Sequence, residues 1–170
     1  MKKVMVILLL IIISLTACST NEPTEIVVKY GARMISNYSQ NITSAVQIPV
    51  IFSTVVYDDS NYSSSSNMSR LTVNSAGKYL VGGAVQMYLD GSVLSDLQVS
   101  LAINGVSASN IYSANRQVSA YSGIIEVSSV VKLNAGDYVC ILAFQDSGYK
   151  SHLTSSFNYT NTIWIQKVGE

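Results

Sequence analysis

Two cysteines and a single histidine are the side chains in this chain best suited to covalent or metal chemistry. Cys18 ends the run Leu-Thr-Ala-Cys, which follows a lysine pair and an apolar stretch over residues 4–13. This order matches a bacterial lipobox, a secretory signal whose peptidase cuts just before a cysteine that then carries lipid. We therefore predict residues 1–17 as a lipoprotein signal peptide and Cys18 as the lipidation site, acylated with chains such as palmitate. The alternatives are a plain signal peptide cut elsewhere and a short uncleaved anchor; a spanning helix needs about 20 apolar residues.

The lipidated cysteine decides where the chain would work. Two or more acyl chains anchor a protein stably, whereas one chain holds it only marginally. A bacterial lipoprotein cysteine carries a diacylglyceryl group, so we expect firm membrane attachment through Cys18, with residues 18–29 as a short tether. Ser19 stands where an aspartate would favour retention at the inner membrane of a Gram-negative cell. We expect a chain that is secreted across the inner membrane and lipid-anchored to the cell envelope or cell surface.

The other candidates for chemistry favour no catalytic residue, no metal site and no cofactor. His152 is the only histidine, and no Gly-x-Ser-x-Gly elbow or other nucleophile setting accompanies it. Zinc needs three or four clustered His, Cys or carboxylate ligands, which the sequence pattern does not supply. Asp58, Asp59 and Asp146 could offer oxygens to calcium, but their spacing fits no calcium-binding loop. A hydrolase is therefore the weaker alternative function.

Charge argues against a nucleic-acid partner. The chain has ten basic and ten acidic residues, and removal of Lys2 and Lys3 with the signal leaves eight basic residues against ten acidic ones. The mature chain then lacks the basic stripe that drives binding to a phosphate backbone.

Cys140 would be the only free thiol once Cys18 is acylated, so no disulfide can form within the chain. It lies in a run of apolar residues, 138–144. A cysteine in that setting is typically a small, buried and inert hydrophobe, so we expect Cys140 to pack in the core.

Tyrosines next to small polar residues are the candidate ligand contacts. Binding loops favour this composition, because a rigid amphipathic ring is combined with adaptable Ser, Gly and Asn neighbours. Tyrosine rings can also stack on sugars. The alternative is that such a tyrosine caps the core and leaves its hydroxyl in water. The predicted ligand-binding residues are Tyr62, Tyr112, Tyr121, Tyr149 and Tyr159.

These residues must be positioned by β-strands, since the chain shows β-branched and aromatic runs separated by Ser, Asn, Gly and Asp clusters. Asn-Gly and Asp-Gly pairs supply the positive φ that tight turns require. We expect no long helix and a two-sheet sandwich. The predicted strands are residues 31–36, 47–56, 70–73, 78–89, 97–103, 123–132, 137–145 and 162–168.

Two of these strands are apolar on both faces. Within residues 78–89, Tyr79 and Val81 alternate with Leu80 and Ala84, and residues 137–145 show a similar pattern. An antiparallel sheet with one wet face should instead alternate apolar with polar residues. A bare second face would expose a larger apolar patch than monomers usually show. The pattern therefore predicts self-association.

Several segments, taken in order, resemble a known superfamily. They are residues 31–33, 52–58, 69–73, 76–81, 131–139 and the terminal segment from residue 155 to Trp164. Together they are similar to the jelly-roll domain of the complement-q and tumour-necrosis-factor superfamily, in particular its bacterial and phage branch. The resemblance implies an all-β antiparallel jelly-roll sandwich of about ten strands over residues 30–170, assembled as a homotrimer. The two strands beyond the eight above are expected within residues 41–45 and 111–119.

Members of this superfamily are mostly recognition modules. The resemblance implies a surface lipoprotein whose trimer recognises a glycan or protein ligand through multivalent, non-catalytic binding. The alternative is a structural envelope or prophage-encoded lipoprotein that masks or scaffolds a surface component.

Overall fold

The computed structural model describes residues 31–89, 95–105, 111–118, 122–154 and 161–170. In these ranges the chain forms twelve β-strands and no helix. The predicted signal peptide, Cys18 and the tether lie outside them. No helix of these ranges has the length and apolar character that crossing a membrane requires. The strands are β1 (Gly31–Ser36), β2 (Gln40–Ile42), β3 (Ile48–Pro49), β4 (Thr54–Asp58), β5 (Arg70–Thr72), β6 (Gly77–Leu89), β7 (Ser95–Ile103), β8 (Ile111–Val118), β9 (Ser122–Leu133), β10 (Tyr138–Gln145), β11 (Ser151–Leu153) and β12 (Asn161–Gly169).

The strands pair into two antiparallel sheets. The seven-stranded sheet has the order β2-β11-β6-β12-β1-β4, and β9 pairs with the other side of β6. The five-stranded sheet has the order β3-β10-β7-β8, and β5 also pairs with β10. Neighbours in each sheet are mostly distant in sequence, as in a jelly roll. The fold is the all-β antiparallel jelly-roll sandwich that the sequence predicted.

The core fills the space between the two sheets. Because successive side chains of a strand point to opposite faces, β6 sends Tyr79, Val81 and Val85 inward, where they are fully buried. Leu101 of β7 and Ile141 of β10 belong to the same apolar cluster from the other sheet. Burying a side chain of this size contributes about 1.5 to 3 kcal/mol. Because the core occupies the inward face of each sheet, each sheet has one remaining face, which points outward.

The predicted strand over residues 47–56 is two strands in different sheets. β3 pairs with β10, whereas β4 pairs with β1. Between them Val50 and Phe52 are buried, and the backbone nitrogen of Val50 donates to the Ile141 carbonyl at 2.8 Å. The Gln40 side chain supports the crossing, because it donates to the Pro49 carbonyl and accepts from the Ile51 nitrogen. In the sequence, only Ser53 and Thr54 interrupt the apolar residues of this segment, so the change of sheet is hard to see there.

The other predicted strands lie where the sequence placed them, within a few residues at each end. The two short strands expected within residues 41–45 and 111–119 correspond to β2 and β8. One further short strand, β11, lies outside all of the predicted strands. This strand holds His152 in a half-buried position.

The turn from β9 to β10 carries the chain from one sheet to the other. Gly136 adopts a φ of 90°, a conformation that residues with a Cβ rarely reach. The Asp137 carboxylate accepts from the Asn104 side chain at 2.8 Å and from the Asn134 nitrogen at 2.7 Å. These hydrogen bonds, with that from Asn104 the largest cause, lower the pKa of Asp137. The Asp137 carboxylate thus stabilises the turn between β9 and β10.

Candidate functional site

The outward face of the seven-stranded sheet carries the most distinctive exposed surface in the described part of the chain. We call this surface the open face. Its strands run side by side in the order β9, β6, β12, β1 and β4. Valine and tyrosine side chains remain largely exposed on it, with Val130 at 58% and Tyr57 at 46%. The residues that define the open face are Arg33, Tyr57, Glu126, Val130, Thr162 and Trp164.

Trp164 lies at the centre of the open face. The register pairs it with Gly82 of β6 on one side and with Arg33 of β1 on the other. A Cβ at Gly82 would come within 2.5 Å of Cζ2 of Trp164 and within 2.9 Å of Cβ of Ser128. The missing side chain at Gly82 therefore makes room for the indole to lie across the sheet. Trp164 is half-buried in this position and is the only tryptophan in the chain.

A hydrogen-bond chain orients the arginine beside this indole. Nε of Arg33 donates to Oγ1 of Thr162 at 3.1 Å, and that hydroxyl donates to the Met34 carbonyl at 3.1 Å. A groove of about 660 Å³ runs across the surface here, with Arg33, Trp164 and Glu126 among its lining residues. The groove thus combines an aromatic floor with one basic and one acidic side chain.

The outward face of the five-stranded sheet is different. Ala102, Cys140 and Leu142 form a small apolar cluster there and are all buried, with Tyr138 packed against it. The guanidinium of Arg70 lies 4.5 Å from the centre of the Tyr138 ring, which is a cation–π contact. We call these five residues the closed face, because the chain itself already covers its apolar part.

Cys140 of the closed face is buried, as the sequence predicted, with 5% of its surface exposed. Its thiol donates weakly to the Ala102 carbonyl, 3.8 Å away. Burial raises the pKa of the Cys140 thiol to about 11. The thiolate is the reactive form of cysteine, so this residue serves packing and offers little nucleophilic chemistry at neutral pH.

Tyr149 is the predicted ligand contact that the structure describes on the surface, with 53% of its area exposed. It borders a pocket of about 450 Å³ together with Asn41, Ser44 and Lys150. The loop is fixed from below by the fully buried Gln145, whose amide nitrogen donates to the Tyr149 carbonyl at 3.1 Å.

Oε1 of Gln145 also accepts two hydrogen bonds from Ser147. The backbone nitrogen of Ser147 donates at 2.8 Å and its hydroxyl donates at 2.6 Å. Nearby, the nitrogen of Gly148 donates to Oγ of Ser44 at 2.9 Å. Several hydrogen bonds therefore hold the loop that carries Tyr149 beside this pocket. This setting suits a contact residue that must keep one orientation.

Tyr62 is in a different environment from the one predicted for it. Only 4% of its surface is exposed, and its ring packs edge-on against Tyr79 with ring centres 6.3 Å apart. Burial is the largest cause of the raised pKa of Tyr62. The polar neighbours in the sequence conceal a ring that is mostly buried in the core. Tyr62 also lines a pocket of about 590 Å³ with Ser75 and Lys167, so its predicted ligand contact stays a prediction.

Of the remaining predicted contacts, the structure describes only the strand position of Tyr112. Tyr112 lies on β8, where it pairs in register with Leu101 of β7. Tyr121 and Tyr159 lie outside the described residues, so their predicted roles stay predictions.

Two of the three aspartates considered for calcium, Asp58 and Asp146, accept backbone hydrogen bonds within the fold. The Asp58 carboxylate accepts from the nitrogens of Tyr62 at 2.9 Å and Ser63 at 2.8 Å. Partial burial alone would raise the pKa of Asp58, but the hydrogen bonds from Ser63, Tyr62 and Ser60 lower it overall. Within the described ranges no three His, Cys, Asp or Glu side chains come together as metal ligands.

Sequence reasoning did not single out Arg33, Glu126 or Trp164 as site residues. The position of Trp164 could have been predicted from the alternation of inward and outward residues in β12, where Ile163 and Ile165 face the core. A tryptophan between two core positions must face outward. No sequence signal places Arg33 and Glu126 on the same surface, because that depends on the order of four strands.

No protein-family model matches this chain, and no curated protein sequence matches it either. Among solved structures, the chain is similar to the globular domain of zebrafish complement 1qA protein, with a TM-score of 0.55 at 16% sequence identity. The match covers 84% of this chain and 100% of the other. A likeness at this identity establishes the fold, which is the jelly roll of the complement-q and tumour-necrosis-factor type.

Proposed function

We propose that this chain, which has the fold of a complement C1q globular domain, is a non-catalytic recognition module that works as a homotrimer. In this proposal the open face forms the contacts between protomers, and the loop that carries Tyr149 contacts a surface glycan or a protein ligand. Lipid on Cys18 would hold the trimer at the cell envelope or cell surface.

The open face is the observation that carries the proposal. Aromatic residues and arginine are enriched in the centres of protein interfaces, and both occur here in Trp164, Tyr57 and Arg33. Leaving such a surface in water is unfavourable, since each Å² of buried apolar area is worth about 25 cal/mol. The closed face already has its cover within the chain, so the open face is the better candidate for self-association.

The pocket at Tyr149 supports the recognition half of the proposal. An exposed ring beside Asn41 and Lys150 offers a stacking surface together with hydrogen-bond donors, which suits a sugar or a polar peptide. A single site of this size would bind weakly. Three sites on one rigid trimer raise the overall affinity without new contacts, provided that the ligand spacing allows simultaneous engagement.

The first test is the mass in solution of residues 18–170 with Cys18→Ser, measured by light scattering after size exclusion. We expect a trimer. A monomer at all accessible concentrations would contradict both the trimer and the multivalent mechanism.

The second test is binding to glycan arrays and to intact cell surfaces, with Tyr149→Ala compared with the wild type. Tyr38→Ala is the matched control, because Tyr38 is similarly exposed but does not border the pocket. We expect Tyr149→Ala to lose binding and Tyr38→Ala to retain it. A trimer that binds equally well with either substitution would favour the structural, scaffolding role instead.

A further inference from the structure

We infer that Arg33 and Glu126 form an ion pair between neighbouring copies of this chain, across the open face. This inference rests on the proposed self-association and names the charged contact that would give the interface its specificity. The partner is a second copy of the chain, which presents Glu126 to the Arg33 of its neighbour.

The two side chains belong to the same groove but are too far apart to pair within one chain. Arg33 is on β1 and Glu126 is on β9, and β12 and β6 lie between them. Three strand spacings of about 4.8 Å separate the two strands by roughly 14 Å. The two residues are also offset along the strands, since Arg33 lies in the row of Gly82, whereas Glu126 pairs with Ala84.

Each side chain keeps unused bonding capacity. Arg33 uses Nε for Thr162, and within the described ranges its two terminal nitrogens have no partner. Glu126 is exposed and makes no hydrogen bond or ion pair with any described residue. A guanidinium fork whose orientation is already fixed loses less entropy when it binds a carboxylate. The Arg33–Thr162 contact therefore orients a guanidinium for which the described residues provide no anion.

The placement of the two charges at opposite sides of Trp164 suits a ring of identical copies. In a ring, each interface joins two different patches of the same chain. Each copy would then give its arginine to one neighbour and its glutamate to the other, around a shared aromatic centre. Complementary charges of this kind mainly select the partner and fix its register.

The test uses charge reversal in the full chain, purified in detergent micelles, with the mass of the protein component measured by sedimentation over a range of concentrations. Four proteins are compared: wild type, Arg33→Glu, Glu126→Arg and the double variant. Each single reversal places like charges against each other, so we expect the association constant to fall at least about tenfold. The double variant restores opposite charges and should recover to within a few-fold of the wild type. Asp96→Arg is the matched control and should associate like the wild type, because Asp96 is exposed on β7 of the other sheet, outside the open face.

The outcomes distinguish a failure of the proposed ion pair from a failure of the proposed trimer. A wild-type monomer would overturn the proposed trimer and the ion pair together. A wild-type trimer whose single reversals associate normally would overturn the ion pair and leave the trimer standing. Dissociation by both single variants without recovery in the double variant would also overturn direct pairing. Arg33→Met, Glu126→Gln and their combination provide a second cycle, and additive effects in that cycle count against the pair.

Discussion

On the outward side of the five-stranded sheet, Cys140 and Leu142 are almost fully buried, whereas on the outward side of the seven-stranded sheet Val130 and Tyr57 stay largely exposed. Both sheets contain a central strand that is apolar on both of its faces, β10 in one and β6 in the other. The same sequence pattern therefore has two outcomes. A second apolar face requires a cover, but the pattern alone does not say whether that cover is the chain itself or a partner.

The two faces also differ in how an arginine is placed next to an aromatic ring. On the closed face, Arg70 lies over the ring of Tyr138. On the open face, Arg33 lies beside Trp164 and is held by Thr162, with its terminal nitrogens directed to no described residue. Arg70 therefore packs within the closed face, whereas Arg33 keeps its terminal nitrogens available for a partner.

The largest predicted effect is on the free energy of unfolding, and it tests whether the closed face is buried within the chain. Leu142→Asp would bury a carboxylate at a position that is 1% exposed, and we expect a loss of about 3 kcal/mol or more in the free energy of unfolding. Val130→Asp on the open face should change that free energy by no more than about 0.5 kcal/mol. Urea unfolding of both variants, at a concentration where the protein is monomeric, makes the measurement. Similar losses for the two variants would remove the distinction between the faces.

Trp164→Ala should have the next largest effect, this time on association. A central aromatic anchor typically contributes about 2 kcal/mol or more to an interface, which corresponds to about thirtyfold or more in the association constant. Light scattering over a dilution series gives that constant. Because Trp164 is the only tryptophan, its fluorescence in the wild type should also shift to shorter wavelength as the protein associates. An emission maximum that does not change with concentration would place Trp164 outside the interface.

The strands and most of the core were predictable because they depend on local alternation. In β6, β9 and β12 burial mostly alternates from one residue to the next, as the sequence pattern indicates. The apolar run around Cys140 predicted a buried thiol. Tyr62 was not predictable, since its neighbours are polar and its ring turns inward where the Asp58 carboxylate holds the backbone of the loop.

The open face was not predictable because it depends on strand order. Arg33 and Glu126 are more than 90 positions apart in the sequence, and only the neighbourhood of β1, β12, β6 and β9 brings them to one surface. The prediction of a single strand over residues 47–56 was wrong for the same kind of reason. Most residues of this segment favour a strand, and the change of sheet is set by partners elsewhere, such as Gln40 and Ile141.

A smaller effect is expected at the edge of the open face, where Asp58 ends β4. Asp58→Ala removes the acceptor for the nitrogens of Tyr62 and Ser63, and we expect a loss of about 1 to 2 kcal/mol at pH 7. The pKa of Asp58 is lowered in the folded chain. The stabilisation is therefore complete above the ordinary aspartate pKa and is lost as the pH falls through the lowered value. Unfolding measured from pH 7 down to pH 2 should show the wild type and the variant converging, and a constant difference would contradict this role.

The smallest predicted change in stability is at Cys140, where the closed face should tolerate a small apolar substitute. Cys140→Ala removes one sulfur from a packed cluster, and we expect a loss of about 1 kcal/mol. In the Cys18→Ser background, Cys140 is the only thiol, and with its pKa raised to about 11 only about one thiol in ten thousand is ionised at pH 7. A thiol reagent should therefore label the folded protein very slowly and the urea-unfolded protein quickly. Fast labelling of the folded protein would mean that the closed face opens to solvent, and the contrast between the two faces would then be one of degree.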